Sequence, residues 1–328
     1  MIVGAKKSKV QYWLKHEQVS EEIYVHSRSF FSKYENSAFE DDNQLEDLIY
    51  KEHIYISKEE LQEIIRATLK AFDFTPSGVG LELGAGCAAV SIEIAKLFPN
   101  VSRVYAVEIV PDIVEIAQTS LIRIAELEDI VTPVLGDFDN LRIEDESIDW
   151  IIEFDSLHHS FDLAKTAREA FRVLKPGGKL IAIDRAHLTT SRQRMKSLEM
   201  EPYSREFLLQ RGYDPNTRIT RADNGEHEHR ISDYTRYFKS AGFSKTRWKN
   251  LLAPELNLLK LALISATPWK IRQATKFRYV QTWPLWKILI PVLILRFSKR
   301  GQFGRFIKLP RAANSKRFQS KTILEFTK

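Results

Sequence analysis

The sequence predicts an α/β protein: a seven-stranded, mostly parallel sheet with helices on both faces, an N-terminal helical cap and a basic insertion before the last strand. Three observations carry this prediction. Between residues 78 and 183, short apolar stretches alternate with segments of helical periodicity, the pattern of a parallel sheet covered by helices. The first apolar stretch runs straight into Gly84-Ala85-Gly86, a glycine-rich strand-to-helix turn. The last two candidate strands are then separated by roughly 65–70 residues, far more than an ordinary connection, so an insertion lies between them.

The elements follow in chain order. Residues 1–75 are expected to form a helical cap with loops. Ser57-Lys58-Glu59-Glu60 reads as a capping box, in which Ser57 and Glu60 each accept from the other's backbone N–H. The helix that follows places Leu61, Ile64, Ile65, Thr68 and Leu69 on one face. Tyr12, Trp13, Tyr24, Phe30, Phe31, Tyr34, Tyr50 and Tyr55 make the segment aromatic-rich, which suits a packed cap or a lid over a ligand. The core is expected over 76–251. Its first five strands are 79–83, 101–107, 131–135, 147–154 and 179–183. Its helices are 88–97, stopped by Pro99; 111–124, with Ile113, Ile116, Ala117, Leu121 and Ile124 on one face; and about 163–174. Lys175-Pro176-Gly177-Gly178 reads as a turn. Residues 186–230 form a polar, loop-rich insertion on the substrate side. A helix over 232–241 stops at Gly242, and strands over 243–251 and 321–326 complete the sheet. Residues 252–318 are the basic apolar insertion, and 319–328 hold the final strand.

Hydrophobic residues make up 44% of the chain and charged residues 28%, which excludes a disordered chain and a polytopic membrane protein. Cys87 is the one cysteine, so a disulfide framework and a cysteine-ligated zinc are excluded. With no apolar leader over residues 1–10, a reducing, cytoplasmic setting is expected. The net charge of +6 is unevenly spread: residues 245–328 hold 19 Lys and Arg against Glu255 and Glu325, and 1–244 is net acidic. An acidic body with a basic appendage faces something anionic.

The glycine turn alone is ambiguous. Gly84, Gly86 and Ala89 fit G-x-G-x-x-A, and Glu108 lies 22 residues after Gly86, so a nicotinamide dinucleotide is one candidate. Against it, Glu82 stands just before the first glycine, where a pyrophosphate at a helix N-terminus would be repelled and a cationic ligand welcomed. Gly136-Asp137-Phe138 ends the third strand with an acid and a ring face, and Asp155-Ser156-Leu157-His158-His159 follows the fourth.

Together with Arg172-Val173-Leu174-Lys175-Pro176-Gly177-Gly178, these motifs over about 78–185 resemble the class I S-adenosylmethionine-dependent methyltransferases of the domain 11/25 type. The resemblance implies a Rossmann-like fold and S-adenosylmethionine as cofactor. It implies that Gly84, Ala85 and Gly86 line the methionine and ribose, and that Glu82 organises the methionine end. Glu108 would take both ribose hydroxyls, with Ile109 beside it. Asp137 and Phe138 would contact adenine, and Asp155 and Ser156 would border the methyl group.

Methyl transfer to oxygen or nitrogen also needs a proton acceptor, and histidine suits that task near neutral pH. His158 follows the fourth strand and is the first candidate. In Asp223-Asn224-Gly225-Glu226-His227-Glu228-His229-Arg230, alternation puts His227 and His229 on one face of an extended segment. This segment is expected to close over the acceptor beside His158. Alternatives are a small metal site with His187 or Asp184, for which no complete ligand spacing exists, and a solvated loop. The acceptor is expected to be a small molecule, a saccharide or a lipid-linked molecule, methylated on oxygen. N- or C-methylation, RNA methylation and a non-catalytic scaffold are the alternatives.

Residues 256–309 mix Trp283, Trp286 and Phe297 with Lys and Arg, as an interfacial segment does. The apolar run 288–295, containing Pro291, is eight residues, too short to span a bilayer. An anionic membrane surface at the inner face is therefore an expected partner, a substrate cap with a basic rim is the other reading, and nucleic acid is disfavoured.

Overall fold

The computed structural model describes residues 9–19, 42–50, 54, 56–187, 191–210, 212–252, 306–308 and 321–328. Tyr24, Phe30, Phe31, Tyr34 and Tyr55, and nearly all of the basic segment with Trp283, Trp286 and Phe297, lie outside the described residues. The chain forms two compact units, Met1–Trp248 with Thr322–Lys328, and Lys249–Lys321.

The first unit begins with a two-residue strand, β1 (Gln11–Tyr12), and the helices α1 (Asp42–Ile49) and α2 (Lys58–Ala71). The expected capping box is present: Ser57 Oγ accepts from Glu60 N and Glu60 Oε2 from Ser57 N, both at 3.2 Å. All five residues expected on the buried face of α2 are buried.

The core strands are β2 (Gly78–Leu83), β3 (Val101–Glu108), β4 (Val131–Leu135), β5 (Ile148–Phe154) and β6 (Leu174–Asp184). Between β2 and β3 runs α3 (Ala89–Leu97). The expected helix 111–124 is there, but it passes through a π-helical stretch at Ile113–Gln118 before α4 (Thr119–Ile124). Thr119 Oγ1 donates to Glu115 O at 2.7 Å, a side-chain bond that competes with the regular ladder. The widened turn brings Gln118 Nε2 to Gly86 O at 2.7 Å, tying this helix to the glycine turn.

Next come α5 (Leu163–Val173), α6 (Arg192–Glu199), α7 (Arg205–Gln210) and α8 (Ile231–Ala241). The insertion expected to be loop-rich thus holds two helices. They surround a small core of their own, Leu208 and Ile219 with Tyr203, Phe207 and Tyr213. The last strands are β7 (Lys245–Leu252), β8 (Phe306–Lys308) and β9 (Thr322–Thr327). Within the second unit, residues 250–252 pair in parallel with β8.

The sheet of the first unit has the order β1-β4-β3-β2-β5-β6-β9-β7. Pairs β1–β4, β4–β3, β3–β2, β2–β5 and β5–β6 are parallel, and β9 lies antiparallel to β6. The seven expected strands are all found. The sheet departs from expectation at one edge, where β1 adds to β4. Residues 11–12 are an edge strand because the backbone N–H groups of Trp13 and Leu14 both reach Leu135 O, at 2.7 and 3.1 Å. The expected turn 175–178 is a bulge within β6: the register moves from Ile148↔Leu174 to Trp150↔Lys179. Its backbone is held by Lys328, through Gly177 N to Lys328 O at 3.2 Å and Lys328 N to Gly178 O at 3.0 Å.

One apolar cluster joins Leu81, Leu83, Ile151, Leu180 and Phe326 of the sheet to Ala167 and Ala170 of α5 and Tyr234 and Phe238 of α8. Phe238 stacks on Phe326 with centroids 3.9 Å apart. Within β2, Gly80 is required by packing, since a Cβ there would lie 2.1 Å from the Trp150 ring. The chain winds one way from β2 to β4 and the other way from β5 to β6, so strand order reverses beside β2. The crevice at the carboxyl ends of the strands opens there.

Candidate active site

The glycine turn follows β2 directly. Gly84 has φ +64° and Gly86 φ +49°, a left-handed region that glycine enters without a Cβ penalty. A Cβ on Gly84 would lie 2.4 Å from Ser156 Cβ, so the turn and the loop after β5 pack backbone to side chain. Ser156 Oγ donates to Leu83 O at 2.7 Å. The hydroxyl of Ser156, expected at the methyl group, thus faces the back of the turn. Ala85 is buried, with its N–H on Val107 O at 2.8 Å.

Glu82 is 2% exposed and reaches beneath the turn to α3, where its Oε2 accepts from Ser91 N at 2.9 Å and from Ser91 Oγ. An acid before the first glycine therefore has a local reason: it satisfies an orphan N–H in the first turn of the helix. Burial pushes its carboxyl up to about 8, with the Ser91 bonds opposing the rise. In the folded chain the group holds its proton where an ordinary carboxyl, at 4.5, has lost it. The stability this proton contributes is complete below about pH 4.5 and is lost as pH rises through about 8. Glu82→Gln, which cannot ionise, should overtake the wild type in denaturant stability between about pH 6 and 9, by a few kcal/mol. Parallel stability curves for the two proteins would contradict a protonated Glu82.

Glu108 ends β3. Its Oε2 accepts from Gly86 N at 2.9 Å, and its Oε1 from Ile109 N at 2.8 Å and Val110 N at 3.1 Å. The carboxylate is thereby fixed against the glycine turn, with Ile109 half-buried beside it. Burial raises its pKa, and the three N–H bonds only partly offset this. Asp137 Oδ1 accepts from Asp139 N at 2.8 Å, an Asx-turn that sets the loop after β4. Phe138 packs against the main core, and its ring edge lies 3.5 Å from where a Gly84 Cβ would stand. Beside this loop Trp13 is buried against Gly136. Tyr12, Trp13, Leu14, Lys15, Glu17, Gln18 and Arg142 line a cleft of about 510 Å³. Gly84, Ala85, Gly86, Glu108, Asp137 and Phe138 thus gather at the carboxyl ends of β2 to β4, while Glu82 turns beneath them to Ser91 and the Ser156 hydroxyl to Leu83 O. The first group fits an adenosyl ligand: a carboxylate acceptor at Glu108, backbone at close approach and an aromatic ring beside the turn.

The loop after β5 carries a second constellation. Asp155 has φ +62°, an uncommon state for a residue with a side chain. Glu153, fully buried in β5, supports this loop: its Oε1 accepts from Ser156 N and, at 3.0 Å, from Leu157 N. Burial first, and the Asp184 anion second, push its carboxyl well above the usual range. His158 is 1% exposed, with Nδ1 2.6 Å from Asp184 Oδ1, and Arg185 Nη2 meets its Nε2. Asp184 Oδ2 accepts from Tyr234 Oη of α8 at 2.5 Å.

The 223–230 segment lies against this group. His227 N donates to His158 O at 2.7 Å, and His187 N to His229 O at 3.0 Å. The rings of His227 and His229 are 6.0 Å apart, as the alternation predicts. The ring of His229 meets Tyr234 edge-on at 5.4 Å, and its Nε2 is buried with no hydrogen-bond partner among the described residues. Burial first, and His227 second, lower the pKa of His229 below the ordinary imidazole value. Its neighbours Glu226 and Glu228 are 5% and 8% exposed, so the segment is no solvated loop. Arg221 pairs with both glutamates at 2.6 Å, Arg185 with Glu226 at 3.2 Å, and His187 with Glu228. Burial opposes ionisation of Glu228, but the His187 hydrogen bond and the Arg221 charge hold its carboxyl down to about 2.

Asp155, His158 and Asp184 offer ligand atoms within 4.8 Å of one another. The Arg185 guanidinium already stands among them, with Nε 3.6 Å from Asp155, so the cluster reads as an ion-pair network. Arg185, Arg221, Glu153 and Tyr234 were not expected at the site. A hint of Glu153 was present, as an acid inside the apolar run Trp150-Ile151-Ile152.

Residues 81–182 match the family model described as "Methyltransferase domain". A curated relative, an uncharacterized 37.1 kDa protein in transposon TN4556 of Streptomyces fradiae, is 35% identical over 113 residues, 34% of this chain and 32% of that protein. The chain thus spans about a third of that relative's length. Among solved structures, YcgJ of Bacillus subtilis has a TM-score of 0.47 and 17% identity, covering 83% of this chain and 99% of that one. Phosphoethanolamine N-methyltransferase 2 of Haemonchus contortus, solved with phosphomonomethylethanolamine and S-adenosylhomocysteine, has a TM-score of 0.44 and 17% identity. That match covers 81% of this chain and 52% of that one.

Proposed function

We propose, from the premise that residues 81–182 are a class I S-adenosylmethionine-dependent methyltransferase domain, that this chain methylates an oxygen of a small-molecule, saccharide or lipid-linked acceptor, with His158 receiving the acceptor's proton. The observation that carries this reading is the place of His158. It is buried on the loop whose Ser156 packs against Gly84, and its Nδ1 is held by Asp184 at 2.6 Å.

When bound, S-adenosylmethionine supplies an electrophilic methyl group on a sulfonium. The chain's own task is then alignment and proton removal. Glu108, already oriented by Gly86 N, Ile109 N and Val110 N, accepts the ribose hydroxyls. Gly84, Ala85 and Gly86 provide close backbone approach. Asp137 and Phe138 meet adenine, and Asp155 stands beside the reacting centre. His158 Nε2 takes the proton of the acceptor hydroxyl. Arg185, tethered to Glu226, turns from Nε2 as the acceptor enters, and His227 and His229 close the wall opposite.

The test is incubation of the purified chain with S-adenosylmethionine and deproteinised cell extract, read by mass spectrometry. Expected is S-adenosylhomocysteine together with an extract component heavier by about 14 Da, the mass a methyl group adds when it replaces the proton removed by the base. S-adenosylhomocysteine bound but never formed, across extracts, would favour a non-catalytic scaffold.

A further inference from the structure

We infer that Asp184, held from α8 by Tyr234, is the positioning residue that fixes the tautomer of His158 and so makes Nε2 the basic nitrogen. This rests on the reading of His158 as proton acceptor, and it is carried by two independent assignments of donor and acceptor at one ring. Asp184 is fully buried, and its Oδ1 accepts from His158 Nδ1 at 2.6 Å and from Arg185 N at 2.7 Å. A carboxylate only accepts, so Nδ1 carries the hydrogen. On the other side of the ring, Nε2 meets Arg185 Nη2. A guanidinium only donates, so Nε2 presents a lone pair. Both contacts demand the same neutral tautomer.

The ionised state of Asp184 is supported by its surroundings. Burial opposes it, but three hydrogen bonds, from His158 Nδ1, Tyr234 Oη and the Arg185 backbone N–H, favour the anion. The proton in this buried pair of acids stays on Glu153, whose carboxyl is pushed well up. His158 is faced by Asp155 at 3.9 Å and His159 on its own loop, by Asp184 and Arg185 after β6, by Tyr234 through Asp184, and by Glu226 through Arg185. Of these, Asp184 is the carboxylate in direct hydrogen-bond contact with the ring.

Tyr234 Oη donates to the remaining oxygen, Oδ2, and so limits how far the carboxylate can swing. This gives the two residues different roles. Loss of the Asp184 charge removes the acceptor that selects Nδ1–H. Loss of the Tyr234 hydroxyl frees Oδ2 but leaves that acceptor in place.

The experiment is nitrogen-15 NMR of the imidazoles of the full chain, with S-adenosylhomocysteine added and no acceptor, followed against pH. His158→Gln assigns the signal. Expected for the wild type is a neutral His158 ring protonated on Nδ1. In Asp184→Asn the ring should lose its preference for Nδ1–H and populate Nε2–H. In Tyr234→Phe, which leaves the carboxylate in place, the ring should stay protonated on Nδ1. S-adenosylhomocysteine affinity serves as the check on folding, and if Asp184→Asn fails it, the wild-type tautomer and Tyr234→Phe decide. A wild-type ring protonated on Nε2 would overturn the inference, as would an Asp184→Asn protein with an unchanged tautomer, or a Tyr234→Phe ring switched to Nε2–H. Undiminished S-adenosylhomocysteine formation by His158→Gln would instead remove the base reading, while the tautomer assignment stands on the NMR alone.

Discussion

His158→Gln lowers S-adenosylhomocysteine formation from S-adenosylmethionine and cell extract by about 100-fold or more, and leaves S-adenosylhomocysteine affinity within about twofold. The size follows from what the ring does. An acceptor hydroxyl is a poor nucleophile until its proton leaves, and a positioned base supplies about 10²–10⁴ in rate. Glutamine keeps the approximate volume and can still face Asp184, so the buried loop has no cavity to collapse into. The cofactor side is spared because His158 lies beyond Ser156, and it is Ser156 that contacts Leu83 O and the Gly84 turn. Wild-type turnover in this variant would send the search for the base to His227 and His229.

The second large effect falls on the turn. Gly84→Ala should destabilise the chain by on the order of 2–4 kcal/mol and reduce S-adenosylhomocysteine affinity more than tenfold. Two costs add at this position. The backbone sits at φ +64°, which costs an L-residue about 1–2 kcal/mol. The new Cβ would also stand 2.4 Å from Ser156 Cβ and 2.5 Å from its Oγ. Ser156 cannot step aside, because its hydroxyl is bonded to Leu83 O and its N–H to Glu153. Gly212→Ala is the matched control: φ is +74° but nothing among the described residues lies within 4 Å of the new Cβ, so the conformational cost dominates. Thermal denaturation and calorimetry of both variants check this, and equal effects at the two positions would contradict the packed turn.

The fold was legible because its strands are short apolar runs bounded by glycine, proline or an acid. The helix over 58–71 could be read residue by residue, since Ser57, Glu60 and the spacing of Leu61, Ile64, Ile65 and Leu69 are local signals. The π-helical stretch at Ile113–Gln118 was not legible, because its apolar face has the same spacing as an α-helix. Strand β1 escaped because two residues carry no period. The acids and glycines at the strand ends were legible for the reason that parallel strands converge there. The contact of Glu82 with Ser91, nine residues on, was not legible, because a reach from strand to helix is a tertiary fact. The pairing of His158 with Asp184 and of Asp184 with Tyr234 spans 26 and 50 residues, and no local pattern encodes it. A solvated loop was one reading of the Glu226–Glu228 run, because charged runs usually are solvated. Burial of that run follows from Arg185 and Arg221, which neutralise it from other parts of the chain.

Isothermal calorimetry of the purified chain with S-adenosylhomocysteine and, separately, with NAD tests the central claim most directly. The crevice beside β2 predicts saturable, one-to-one binding of S-adenosylhomocysteine, weakened by about 1–3 kcal/mol in Glu108→Ala through loss of charge-assisted hydrogen bonds, and no heat from NAD. Saturable NAD binding with no response to S-adenosylhomocysteine would contradict it.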